Sequence, residues 1–113
     1  MIHEIKVKEQ YYNKIKTKEK IYEVRLFDEK RQKIKIGDII KINKEPQMVE
    51  SLNAKVIDLL YFKNFEEMAN NLPAKQIGFD GSNWEYIVNE YHKFYSEQEE
   101  QKYGVIAIKI EVQ

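Results

Sequence analysis

Apolar and polar residues alternate from the start of the chain. Over residues 2–7 (IHEIKV), His3, Ile5 and Val7 fall on one side and Glu4 and Lys6 on the other, the pattern of a half-buried strand. The next segment, EQYYNKIKTKE, sets Tyr11, Tyr12 and Ile15 against a series of lysines, which predicts a short helix with a solvated basic side. Alternation returns in residues 20–27 (KIYEVRLF): Tyr22, Val24 and Leu26 share one face, while Ile21, Glu23, Arg25 and Phe27 share the other. Glu23 and Arg25 therefore project together. Gly37-Asp38 signals a turn, because glycine reaches positive φ and aspartate bonds nearby backbone amides, and a strand is predicted from Ile39. Pro46 belongs in a loop or at a strand edge, and residues 47–62 are apolar enough for one or two further strands.

Helical signals dominate the next stretch. Asn64 and Glu67 form an N-cap pattern ahead of Phe65, Met68 and Leu72, and Pro73 ends that helix. Residues 74–81 (AKQIGFDG) read as a loop, and Ser82 with Glu85 reads as a capping box. Trp84, Ile87, Val88, Tyr91 and Tyr95 then recur at helical spacing, so Trp84 and Tyr91 are expected to pack inward and Tyr95 to lie near a helix break. Ser96 and Glu99 repeat the capping box before a second short helix and Gly104. In the closing GVIAIKIEV, Ile106, Ile108, Ile110 and Val112 share one side of a last strand. This order predicts an α+β fold: one domain over residues 1–113, a small barrel whose openings and sheet edges are covered by short helices.

Composition narrows the function classes. The chain has 113 residues, 42% of them hydrophobic, and no cysteine, so it can bury one core and holds neither disulfides nor thiolate metal sites. It lacks a secretion signal and any apolar run long enough to span a bilayer, so a soluble cytoplasmic protein is expected, a monomer or weak homodimer. Two histidines, His3 and His92, are too few for a His-based metal site; no metal and no cofactor are expected, and no Ser-His-Asp arrangement is suggested. The net charge is zero, but residues 1–50 carry 13 Lys and Arg against nine Asp and Glu, whereas residues 51–113 carry six against ten. Residues 14–35 hold nine basic and four acidic side chains. Contact with phosphate is therefore expected to be local.

At KEKIYEVRLFDEKRQKIKIGDIIKI the sequence resembles the ASCH domain family, a relative of the PUA domains of RNA-modifying proteins. The family's G-x-K-x-x-E-x-R signature stands here as Lys18 to Arg25, with Lys20, Glu23 and Arg25 retained and Lys18 in place of the glycine. His3, Asp28 to Arg31, Gly37-Asp38, Tyr95-Ser96-Glu97 and Tyr103-Gly104-Val105 extend the likeness to both ends of the chain. The resemblance implies a PUA-like β-barrel flanked by short α-helices, with a cleft between the barrel and the first helix and the signature residues on its floor.

The function it implies is binding of RNA or of a modified nucleoside or nucleotide. Lys20, Glu23 and Arg25 are the principal ligand contacts, and Arg31, His3 and Tyr95 are secondary candidates. These residue types suit nucleotides: arginine offers a planar fork of donors, lysine a point charge, and a carboxylate accepts from an exocyclic amine. The alternative is a small metal-independent hydrolase, an acetylcytidine-type amidohydrolase or a ribonuclease, with Lys20 and Glu23 catalytic in the same cleft. Family members of the deacetylating kind carry threonine where Glu23 stands. Without the resemblance, the same three residues read as a strand-surface ion pair. His3 reads first as a histidine at the rim of the core, and most aromatic residues as core.

Overall fold

The computed structural model describes residues 1–113. Five strands, β1 (Ile2–Val7), β2 (Tyr22–Leu26), β3 (Ile39–Lys44), β4 (Ser51–Phe62) and β5 (Val105–Val112), form one sheet in the order β1-β3-β4-β5-β2. Only β1 and β3 run parallel; the other neighbours are antiparallel. The sheet curls into a half-barrel, and its two edge strands, β1 and β2, come within reach of each other across the open side. Four helices accompany it: α1 (Glu9–Lys16), α2 (Phe65–Asn71), α3 (Trp84–Tyr91) and α4 (Glu97–Tyr103).

Both faces of the sheet are covered, and strand alternation divides the core between them. Ile106, Ile108 and Ile110 of β5 join Ile5, Val7, Ile40, Ile42 and Val56 on the inner face, where α1 adds Tyr12 and Ile15. Val105 and Ala107 of β5 turn the other way and join Tyr22, Val24 and Leu26 of β2 beneath Phe65 and Met68 of α2 and Ile87 of α3. A strand buried on both faces has no polar side to show, which explains the unbroken apolar run VIAI. β2 is different: its outward face is apolar, but the face turned to the barrel interior bears Glu23 and Arg25, opposite Ile108 and Ile106.

The region 47–62 contributes one long strand rather than two, with a register shift between Val56 and Asp58 that lets it bend around the half-barrel. Asn64 caps α2 by accepting from the Glu67 amide, and Ser96 and Glu99 make the full capping box of α4. At α3 the cap is Asn83 rather than Ser82, its carbonyl oxygen accepting from the Tyr86 amide. That helix stops at Tyr91. Trp84 is its first residue and 38% exposed, so the inward face begins at Ile87. No helix is long and apolar enough to cross a membrane.

Candidate functional site

The site begins with the turn after α1. Lys18 has φ +67°, and the chain closes as a Schellman motif: the Lys18 amide donates to the Ile15 carbonyl and the Glu19 amide to the Lys14 carbonyl. Glycine is the default residue for this left-handed position. The reversal aims Lys20 into the interior of the half-barrel, where it is 4% exposed. Its Nζ donates to the Tyr22 carbonyl, lies 3.1 Å from Glu23 Oε1 and reaches the Ile77 carbonyl at 3.5 Å. Glu23 is 5% exposed, and its other oxygen, Oε2, accepts from Arg25 Nε at 2.7 Å. Arg25 in turn donates through Nη2 to the Lys6 carbonyl at 2.9 Å, closing the gap between β2 and β1.

One carboxylate therefore holds two cations in a buried row with a net positive charge. Burial by itself would raise the Glu23 pKa, but the neighbouring charges and hydrogen bonds of Lys20 and Arg25 outweigh it and hold the carboxyl below its ordinary value. Burial lowers the Lys20 pKa, opposed by Glu23. Burial also works against the Arg25 charge, but the Glu23 carboxylate more than offsets it and raises that pKa.

A cavity of about 350 Å³ opens over this row. Its floor includes Lys20, Glu23 and Arg25, and Tyr11, Phe79, Tyr91 and Tyr95 stand in its walls. Each wall has a support. Tyr91 stacks on Phe65 at 4.6 Å between ring centres with 5° between planes, and Tyr95 stacks on the same ring at 5.7 Å. Phe65 is fully buried, and its amide donates to Glu100, whose carboxylate also hydrogen-bonds the part-buried His92; this pair ties α2 to the end of α3 and to α4. Phe79 lies in the segment after a 3-10 turn at Ala74–Ile77, with its ring 6.2 Å from Tyr11 and 5.9 Å from Tyr91. Gln76 of that turn accepts from the Ile21 amide at the head of β2, and Lys14 of α1 donates to the Gly78 carbonyl and to Asp80. Burial raises the pKa of the Tyr91 and Tyr95 hydroxyls, so both stay protonated and available as donors.

Of the six residues singled out in the sequence, four meet in this cavity: Lys20, Glu23, Arg25 and Tyr95. Arg31 sits just outside it in a second 3-10 turn, Arg31–Lys33. Burial and then the Arg25 charge lower its pKa, and its Nε is buried without a hydrogen-bond partner. The structure does not bring His3 to the group. His3 lies toward the start of β1, bonded through Nε2 to Asp38 at 2.8 Å. The lysine series of α1 is largely committed as well: Lys14 pairs with Asp80 and Lys16 with Glu50. No three His, Asp or Glu side chains converge as metal ligands would. Of the aromatic wall, the sequence points only to Tyr95; Phe79 falls in a segment that reads as a loop, Tyr91 on a helical face expected to pack inward, and Tyr11 on the apolar side of α1.

A family model described as ASCH domain matches residues 5–113. Two solved structures resemble the chain over its whole length. The crystal structure of the hypothetical protein PH0355 is 37% identical, with all of both chains covered and a TM-score of 0.88. The solution structure of protein PF0455 from Pyrococcus furiosus is 33% identical over 99% of this chain and 97% of that one, with a TM-score of 0.73. No curated protein matches.

Proposed function

Because the chain belongs to the ASCH domain family, we propose that the cavity over Lys20, Glu23 and Arg25 binds RNA or a modified nucleotide. The observation that carries this reading is the buried charged row on the floor of an aromatic-walled cavity. Desolvating three charges costs more than packing apolar side chains of similar volume, so such a row is poorly explained as a device for stability alone. The cavity falls at the lower end of the range for small-ligand sites. Glu23 keeps a free lone pair on each oxygen and can accept from an exocyclic amine, while Arg25 has donors left for a base carbonyl or phosphate. The tyrosines and Phe79 offer ring faces and hydroxyls to the base. Arg31, whose charge acts on Arg25 from outside the cavity, adds positive potential beside it.

Titration of labelled short RNAs and nucleotides tests this. Binding is expected to weaken as salt rises and to fall at least tenfold in Arg25→Gln and in Tyr95→Leu, the latter chosen because it leaves the charged row intact. Folded wild-type protein that binds no nucleotide in this series would overturn the reading.

The lowered pKa of Lys20 favours a second reading, a metal-independent hydrolase of acetylcytidine-type nucleosides or RNA in which Lys20 and Glu23 move the proton. Against it, the Lys20 ammonium already has Glu23 and two backbone carbonyls as partners. Mass-spectrometric detection of product that disappears in Lys20→Met would establish catalysis.

A further inference from the structure

Where the cavity opens to solvent, its rim is built differently from its floor. Phe94 lies in the turn that follows α3 and borders the opening, yet its ring is 63% exposed. Most of the other aromatic rings bordering the cavity are packed against an aromatic neighbour; Phe94 has no ring partner, and Lys8 lies over it with Nζ 4.8 Å from the ring centre. The Lys8 ammonium makes no hydrogen bond or ion pair, whereas the neighbouring Lys93 is held by Glu90. An exposed ring with an uncommitted cation, at the mouth of a cavity lined by five basic and three acidic residues, is an arrangement made for a second flat, anionic group.

Resting on the reading above, we infer that the protein takes a nucleotide within a single RNA strand rather than a free nucleotide. The base in the cavity is splayed out of the strand, the adjacent base stacks on Phe94, and Lys8 meets the phosphate between them. A free nucleotide fills the cavity and leaves this rim unused. Exposed aromatic rings serve bases of any identity, so the rim contributes affinity without adding sequence preference.

Fluorescence anisotropy with a fluorescein-labelled random-sequence single-stranded RNA, competed by the common nucleoside monophosphates, separates the two ideas. The RNA is expected to bind wild-type protein at least tenfold more tightly than any monophosphate. Phe94→Ala should weaken RNA about tenfold and leave the monophosphates unchanged, and Lys8→Gln should make the salt dependence of RNA binding shallower by about one charge. The ring is exposed, so its loss should leave the melting temperature unaltered, which a thermal scan verifies. Equal affinity for RNA and monophosphates, or RNA affinity untouched by Phe94→Ala, overturns the rim while the cavity reading survives. Absence of binding by either probe overturns both the rim and the RNA reading of the cavity.

Discussion

Glu23 is the residue on which the charged row depends, because its two oxygens separately hold Lys20 and Arg25. Glu23→Gln leaves both cations buried without a counter-charge and should cost about 3 kcal/mol in a urea melt. Replacing all three residues together with Met, Leu and Met removes the charges along with their desolvation. That variant should be about as stable as the wild type and bind no nucleotide, which separates stability from function in one protein. Lys18 makes the opposite case. A side chain at φ +67° in the Schellman turn is strained, so Lys18→Gly should raise stability by about 0.5–1 kcal/mol, after allowing for the extra freedom glycine gains in the unfolded chain. Lys18→Ala should bring no such gain. At this scale the sequence was legible wherever alternation decides the matter: the period of β2 put Glu23 and Arg25 on one face, as observed. Lys20 was reached through the family signature alone, because its direction is set by a backbone reversal that alternation does not record.

The elements place the walls, and their junctions are tight. A Cβ at Gly78 would lie 3.0 Å from the Tyr11 ring and 3.1 Å from Lys20 Cδ, at φ +100°. Gly78→Ala should therefore push the 3-10 segment away from the floor, destabilise by about 1–3 kcal/mol and weaken nucleotide binding in the same variant. Gly81→Ala, at a positive φ but with open space around it, should spare binding and isolate the packing effect. Helix periodicity marked most elements, since capping residues and apolar spacing act locally. It erred on α3 at Trp84 alone: Ile87, Val88 and Tyr91 do pack against the core and the helix does break before Tyr95, but Asn83 starts α3 so that Trp84 falls at its exposed first turn. Apart from Tyr95, the aromatic wall was illegible for a related reason. Tyr11, Phe79, Tyr91 and Tyr95 are brought together by contacts remote in sequence, and a ring facing a cavity has the same pattern as a ring facing the core.

Over the whole molecule, the half-barrel is pinned at two ends of β1. Near Val7, Arg25 reaches the Lys6 carbonyl; at the start, Asp38 gathers His3, the Lys35 amide and the terminal ammonium. Hydrogen bonds from His3 and then from the Lys35 amide hold the Asp38 carboxyl down to about 2. Because this folded value lies below that of the unfolded chain, the stabilisation is complete above pH ~4 and is lost as pH falls through about 2. Asp38→Asn should accordingly be less stable than wild type in urea at neutral pH, with the difference closing between pH ~4 and ~2. A constant difference across that window would remove Asp38 from this role. Of the two, the Arg25 contact closes the open side of the sheet beside the cavity, whereas the Asp38 cluster fastens β1 to β3 at the far end. Whether the cavity receives a nucleotide is read directly by heteronuclear NMR of the wild-type protein during addition of short single-stranded RNA. Amide shifts are expected to cluster at Glu23, Arg25, Phe79, Tyr91 and Tyr95 and to extend to Lys8 and Phe94. Shifts confined to other surfaces, or none at saturating RNA, would contradict binding in the cavity.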